Sequence, residues 1–208
     1  MTAAEMIDKL GARFGAAGAE FTEFRDEHTV RVPLAAVREV LGFCRDELAF
    51  AMLLDITTVD HCGREPRFEV VYELATVDDA RHLRVKAAVG EDEEVPTATG
   101  LWQAADWHER EAWDMMGVRF AGHPGLKRIL MWEGYPWHPL RKDFPLAGRP
   151  TEMPEVAFTG VAPLEGGPFV SPAGARNKVV GEPRARGFED TGGTPALLDE
   201  RRTPGAGI

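Results

Sequence analysis

The sequence predicts an α+β fold, namely a two-layer domain with helices on one face of a mostly antiparallel sheet, plus an extended irregular C-terminal arm. Two observations predict the domain: helix-spaced and strand-like segments alternate along its length, and their order is helix, hairpin, helix, three strands, helix. A third predicts the arm, because the chain past about residue 147 becomes rich in proline and glycine and loses periodicity. We therefore place the domain at 1–147 and the arm at 148–208.

The first half of the domain carries two helical patterns around a hairpin. Residues 2–16 place apolar side chains near a helical period, which predicts an amphipathic helix. Residues 20–24 and 28–32 alternate in polarity around a charged turn, which is typical of a hairpin. Pro33 then opens a second helical pattern, and proline suits a helix entry because its missing N–H needs no partner there.

The second half of the domain contains three strands and one helix. Runs rich in β-branched and aromatic residues predict strands at 50–56, 68–74 and 83–89. Residues 101–116 follow a helical period, and Gly117 fits the helix end. Within this helix Asp106 and Glu109 have the spacing of a capping box.

The arm has two interpretations. A segment this rich in proline and glycine cannot bury enough apolar surface by itself to offset its ordering entropy, so it is either a disordered tail or a strap that orders on a partner. Apolar side chains recur along it from Phe158 to Leu197, which a solvated linker would not need. We favour an arm that wraps a partner subunit.

Charge and hydropathy exclude several classes of protein. The net charge of −10, with an acidic run at 91–94, disfavours nucleic-acid binding. The sequence contains no apolar stretch near the roughly 20 residues of a membrane-spanning helix. Residues 1–10 include Glu5 and Asp8 and do not resemble a signal peptide, so we expect the chain to stay in a bacterial cytoplasm.

The cysteine content argues against a redox centre in this chain. An iron–sulfur cluster usually takes four cysteine ligands, and a structural zinc site usually takes four Cys or His ligands. The chain has two cysteines, Cys44 and Cys62, which we expect to be reduced thiols, with a disulfide as the alternative. No glycine-rich nucleotide-binding motif occurs in the sequence.

The densest polar cluster lies at 108–114. Its start imitates the zinc-protease motif H-E-x-x-H, but Ala112 stands where the second histidine would be. One interpretation is a charged helix face in which Arg110 pairs with nearby carboxylates, namely Glu109, Glu111 and Asp114. The other is a semi-buried network at a protein interface, which the neighbouring Trp107 and Trp113 favour.

Two later motifs join histidine, proline and basic residues. His123 and His138 each precede a proline, which favours extended backbone, and lone histidines of this kind are usually hydrogen-bonded structural groups. The first motif continues to Arg128. The second continues to three charged residues that suggest a rigid polar clip for docking, Arg141, Lys142 and Asp143.

Together these motifs resemble the complex I 30 kDa subunit family. The first hallmark is Glu109-Arg110-Glu111, Asp114-Met115-Met116-Gly117, His123, Lys127 and Ile129-Leu130, and the second is the run at 138–146. Residues 54–60 and 70–74 are also similar. The resemblance covers about 30–147, and the stretch at 132–137 departs from it by being more aromatic.

The resemblance implies a non-redox scaffold subunit in the hydrophilic arm of proton-translocating NADH:quinone oxidoreductase. It implies a 49 kDa-type (D-type) partner and a peripheral position on the cytoplasmic side of the bacterial inner membrane. FMN and iron–sulfur clusters would belong to partner subunits, with no cofactor and no catalytic residue in this chain. The residues to which it gives structural or interface roles are Glu109, Arg110, Glu111, Trp113, Asp114, His123, Arg128, His138, Arg141, Lys142 and Asp143.

Three alternatives remain open at the level of the sequence. The first is the equivalent subunit of a membrane-bound hydrogenase-type complex. The second is a stand-alone metal hydrolase that uses His108, Glu109 and Glu111. The third is a free binding module with a disordered tail.

Overall fold

A computed structural model describes residues 2–145. The chain divides after His138 into two units, and residues 139–145 are the described part of the second one. The predicted C-terminal arm at 148–208 lies outside the described residues.

Three helices and seven strands form the first unit. In chain order they are α1 Ala3–Phe14, β1 Glu20–Phe24, β2 Glu27–Arg31, α2 Val37–Asp46, β3 Met52–Asp60, β4 Phe68–Ala75, β5 His82–Val89, β6 Glu94–Pro96, α3 Ala105–Met116 and β7 Arg119–Ala121. Short 3-10 turns follow α1 and precede α2. Pro33, predicted at the entry of the second helix, caps the 3-10 turn that precedes α2 and not α2 itself.

The main sheet has the strand order β1-β2-β5-β4-β3. Neighbouring strands in this sheet are antiparallel, except that β2 and β5 run parallel. This confirms the predicted α+β fold with a mostly antiparallel sheet. Strands β6 and β7, which the sequence did not predict, form a separate parallel pair.

The core lies on one face of the sheet. Alternate residues of β4 and β5, for example Tyr72 and Val85, are fully buried against apolar side chains of the helices, such as Leu10 of α1 and Val40 of α2. The opposite face carries ion pairs between strands. On it, the carboxylate of Glu69 pairs with Arg31 and Lys86 across three neighbouring strands. The one-sided burial explains why both predicted layers form.

Helix α3 differs from its prediction in how it begins. It starts at Ala105 and not at residue 101, because turns occupy the preceding residues. Its N-cap is Ala104, which makes no side-chain cap, so the predicted capping box of Asp106 and Glu109 is wrong. The carboxylate of Glu109 is instead bound by the segment after β6.

Candidate functional site

Glu109 is a fully buried carboxylate on the core side of α3. Its two oxygens accept hydrogen bonds from the hydroxyl of Thr97 and the backbone N–H of Ala98, both at 2.6 Å. Burial raises the pKa of Glu109, and these two bonds only partly oppose the shift. The side chain therefore fastens α3 to the segment that follows β6.

Asp114 is buried just as completely but in a different environment. One oxygen accepts from three consecutive backbone N–H groups, those of Ile129, Leu130 and Met131, at 2.8–3.0 Å. The other oxygen accepts from the guanidinium of Arg128. Burial alone would raise the pKa of Asp114, but these four donors outweigh it and lower the pKa.

Arg128 lies between two aromatic rings as well as against Asp114. Its guanidinium carbon is 5.3 Å from the ring centre of Trp113 and 5.6 Å from that of Tyr135. The rings of Tyr135 and Trp132 are in turn 4.5 Å apart. The aromatic stretch at 132–137 thus has a structural role, because it covers the buried arginine.

His123 and His138 are both held by α3. The buried ring of His123 accepts at Nδ1 from the backbone N–H of Gly125, which leaves Nε2 to donate to the carbonyl and carboxylate oxygens of Asp106, each at 3.2 Å. Nδ1 of His138 lies 3.0 Å from the carbonyl oxygen of Asp114. The chain from 123 to 138 is therefore fixed to the helix at both ends.

The side chain of Arg110 is largely covered and lies between α3 and the loop that contains Lys127. Its Nε donates to the carbonyl of Lys127 at 3.1 Å, its Nη1 is 3.8 Å from the carboxylate of Asp106, and its guanidinium stacks on Trp107 at 4.8 Å. The predicted network of Arg110 with carboxylates of its own helix is therefore rearranged: it pairs with Asp106, while Glu109 and Asp114 are bound by other groups. Glu111 lies exposed on the same helix.

The predicted clip lies in the second unit. The backbone N–H of Phe144 donates to the carbonyl of Arg141 at 3.0 Å, which closes a turn that contains Lys142 and Asp143. That this turn is a rigid polar clip for docking stays a prediction.

Two apolar residues near α3 are exposed and were not among the predicted site residues. Trp107, in the first turn of α3, and Leu130 are each 61% exposed. Leu130 belongs to the family motif, and Trp107 stood out in the sequence only as a neighbour of charges. A helical projection could have found Trp107, because it lies on the opposite side of α3 from the buried Ala105 and Glu109.

Metal-ligating clusters and membrane-spanning helices are both absent from the described part of the chain. Between residues 2 and 145, no group of three or more His, Cys, Asp or Glu side chains is arranged to hold a metal ion. Within the same residues, no helix has the length and apolar character needed to cross a membrane.

The relatives found by comparison with known proteins include subunits of NADH-quinone oxidoreductase. The chain is 48% identical over 143 residues to the C subunit of NADH-quinone oxidoreductase from Citrifermentans bemidjiense, covering 68% of this chain and 89% of the relative. It is 44% identical over 159 residues to the C/D subunit of NADH-quinone oxidoreductase from a Sulfurihydrogenibium species, covering 74% of this chain and 27% of that longer relative.

A solved structure shows the same fold. It is a chain of the membrane-bound sulfane sulfur reductase, described as an archaeal respiratory membrane complex, with a TM-score of 0.59 and 29% identity over 68% of this chain and 84% of that chain. The family model described as the 30 kDa subunit of respiratory-chain NADH dehydrogenase matches residues 30–150. The chain therefore belongs to the family of the 30 kDa subunit of respiratory-chain NADH dehydrogenase.

Proposed function

We propose that this chain is a non-redox scaffold subunit in the hydrophilic arm of a proton-translocating NADH:quinone oxidoreductase. The observation that carries the proposal is the family match over residues 30–150, together with relatives named as the C subunit of that enzyme. In this proposal electrons pass from NADH through FMN and iron–sulfur clusters of other subunits to quinone.

The contacts of α3 support a structural role. The family's charged hallmark residues act within the domain: Glu109 binds the segment after β6, and Asp114 binds the loop at 128–131. Buried carboxylates with this many donors hold backbone in one conformation. The hallmark therefore suits a rigid surface on which another protein assembles.

The expected partner is the 49 kDa-type subunit, called the D-type subunit below. Support comes from the Sulfurihydrogenibium relative, whose name joins C and D in one protein. A hetero-oligomer of this kind would place the chain peripherally on the cytoplasmic side of the bacterial inner membrane.

The cofactors are expected in other subunits. The whole sequence has two cysteines, whereas a cluster usually needs four. We therefore assign no step of electron transfer and no catalytic residue to this chain.

Deletion of the coding sequence in the host bacterium tests the proposal. Membranes should lose NADH:quinone activity and the assembled complex, and the full chain supplied in trans should restore both. Unchanged NADH:quinone activity and an intact complex in the deletion strain would refute the proposed function.

The similarity to a chain of the sulfane sulfur reductase favours one second candidate, the equivalent subunit of a hydrogenase-type or related respiratory complex. The same deletion strain separates the two. If this candidate is right, NADH:quinone activity is unchanged, while the activity of the other membrane complex is lost.

A further inference from the structure

A chain of hydroxyl groups connects the buried carboxylate of Glu109 with a half-buried residue. Oε2 of Glu109 lies 2.6 Å from Oγ1 of Thr97, which in turn lies 3.0 Å from Oγ1 of Thr99. Both distances are those of O–H···O hydrogen bonds. Glu109 and Thr97 are buried, whereas Thr99 is half-buried. This hydroxyl chain, formed by Glu109, Thr97 and Thr99, therefore leads from the core of the domain towards solvent.

The hydrogen-bonding capacity of Thr97 fixes the direction of the bonds when Glu109 is ionised. A threonine hydroxyl donates one hydrogen bond and accepts two. The hydroxyl of Thr97 already accepts from the backbone N–H of Thr99 at 3.2 Å, so one donor and one acceptor position remain. Because a carboxylate can only accept, Thr97 donates to Glu109, and the hydroxyl of Thr99 donates to Thr97.

Protonation of Glu109 reverses these bonds without breaking them. Oε1 accepts the backbone N–H of Ala98 at 2.6 Å, which leaves Oε2 as the oxygen that can carry the proton. The protonated Oε2 donates to Thr97, the hydroxyl of Thr97 donates to Thr99, and that of Thr99 donates to solvent. The same heavy atoms stay bonded, so α3 remains joined to the segment after β6 in both charge states.

The backbone around the hydroxyl chain is held in place by other elements. Nη1 of Arg38 in α2 donates to the carbonyl of Thr97 at 2.6 Å, and Nη1 of Arg45 donates to the carbonyl of Leu101 at 3.1 Å. The backbone N–H of Thr97 donates to the carbonyl of Ala121 in β7 at 3.0 Å. A polar network with these bonds is rigid, so the three oxygen atoms stay within reach of one another.

The charges near Glu109 act on it from several elements. Burial raises the pKa of Glu109, the negative charge of Asp106 adds to this effect, and His123 opposes it when protonated. The phenol of Tyr72 is fully buried, and both burial and the charge of Glu109 raise its pKa, so it stays neutral. The titratable groups that the packed elements bring to this part of α3 are Tyr72 of β4, the Asp55–His108 pair between β3 and α3, Asp106 of α3 and His123 of the loop after β7.

We infer that Glu109 is an internal proton-binding site that exchanges its proton with solvent through the hydroxyls of Thr97 and Thr99. In uptake, the solvent gives a proton to Oγ1 of Thr99, Thr99 passes its own proton to Thr97, and Thr97 passes its own to Oε2 of Glu109. One proton leaves the solvent and one carboxylate becomes neutral. The inference concerns the domain itself and does not depend on the D-type subunit.

Infrared spectroscopy of the full chain after a rapid change of pH tests the inference. The C=O stretching band of a protonated carboxyl is distinct from the bands of a carboxylate, and the band that Glu109→Gln removes belongs to Glu109. In the wild type this band should titrate with a midpoint above 4.5. Thr99→Val removes the outer hydroxyl with little change of shape. It should slow the appearance of the band about tenfold or more and leave the midpoint nearly unchanged.

Two further variants serve as matched controls. Thr99→Ser keeps a hydroxyl at the same position, so the rate of proton uptake should stay within about twofold of the wild type. Thr29 is also half-buried but lies on β2, away from the hydroxyl chain. Thr29→Val should change the rate by less than about twofold, since it removes a hydroxyl that the proton does not use.

Each outcome decides one part of the inference. If the wild type shows no Glu109 band at pH 4.5, the proton-binding site is overturned. If the band is present but Thr99→Val takes up the proton as fast as the wild type, or Thr29→Val slows uptake equally, the route through the hydroxyls is overturned.

If Thr99→Val does not fold, the wild type is measured in mixtures of H₂O and D₂O. Transfer along the hydroxyl chain moves several protons together, so the rate should fall along a curve as the fraction of deuterium rises. A straight line, as expected for a single moving proton, would overturn the route.

Discussion

At the residue scale, Glu109 and Asp114 are two buried carboxylates on one helix whose pKa values shift in opposite directions. Glu109 has two hydrogen-bond donors and a raised pKa, whereas Asp114 has three backbone donors and an arginine and a lowered pKa. The number and charge of the donors decide whether hydrogen bonding outweighs the effect of burial on the pKa. Their contributions to stability therefore change with pH in opposite directions.

Asp114→Asn should destabilise the domain by about 3 kcal/mol at pH 7, because it leaves the largely buried Arg128 without its counter-charge and aims an amide at backbone donors. Since the folded pKa of Asp114 is lowered, its contribution is present above the unfolded pKa and is lost as the pH falls through the folded one. Urea unfolding of both proteins at pH 7 and at lower pH measures the difference in their free energies of unfolding. Equal stability of wild type and variant at pH 7 would contradict it.

Glu109→Gln should remove a pH dependence of the opposite sign. Because the folded pKa of Glu109 is raised above its ordinary 4.5, the folded state holds this proton more tightly, so its contribution to stability falls as the pH rises through the folded pKa. The free energy of unfolding of the wild type should therefore fall relative to that of Glu109→Gln between pH 4.5 and neutrality. Parallel curves for the two proteins would contradict a raised pKa of Glu109 in the folded state.

The sequence identified these residues but not their partners. Asp114 is bound largely by backbone N–H groups, which every residue except proline carries, so no side-chain pattern marks them. The expected pairing of Arg110 with Glu109, Glu111 and Asp114 was reasonable from spacing alone. It was displaced because Asp106 lies one turn earlier and the loop at Lys127 offers a carbonyl.

At the element scale, long periodic segments were predictable and short ones were not. Helix α1 and strands β4 and β5 lie within two residues of their predicted limits, because α1 and β5 show the period of one-sided burial and β4 is rich in β-branched and aromatic residues. Strand β3 extends to Asp60, past its predicted end, since the buried Asp60 pairs with Arg67 and does not interrupt the strand. Strands β6 and β7, each of three residues, are too short to show a period.

The β1–β2 hairpin offers a test at this scale. Arg25 and Asp26 both have positive φ angles, 54° and 65°, in a two-residue turn that favours asparagine and glycine. Replacing them by Arg25→Asn and Asp26→Gly should stabilise the domain by about 1 kcal/mol, because left-handed backbone is costly for arginine. The midpoint of urea unfolding measures the change. As the control, Arg25→Val should destabilise the domain, because a β-branched residue tolerates left-handed backbone poorly. A gain in stability from Arg25→Val would show that the turn geometry does not cause the effect of the first variant.

At the scale of the whole molecule, the family resemblance was readable in the sequence because its residues are closely spaced and specific. The comparisons confirm it over residues 30–150. The C-terminal arm and its wrapping of a partner stay predictions. The exposure of Trp107 and Leu130 was not predictable from composition, since it depends on how the loop at 127–138 lies over α3.

The central claim is that this chain contributes to the enzyme by assembly and not by electron transfer. Arg110→Ala tests it most directly, because the guanidinium of this residue stacks on the exposed Trp107. The measurement is the amount of assembled complex in membranes beside the NADH:quinone turnover of each assembled complex. We predict that assembly falls about fivefold, as a loss near 1 kcal/mol implies, while turnover per complex is unchanged. Full assembly with lost turnover would contradict the claim.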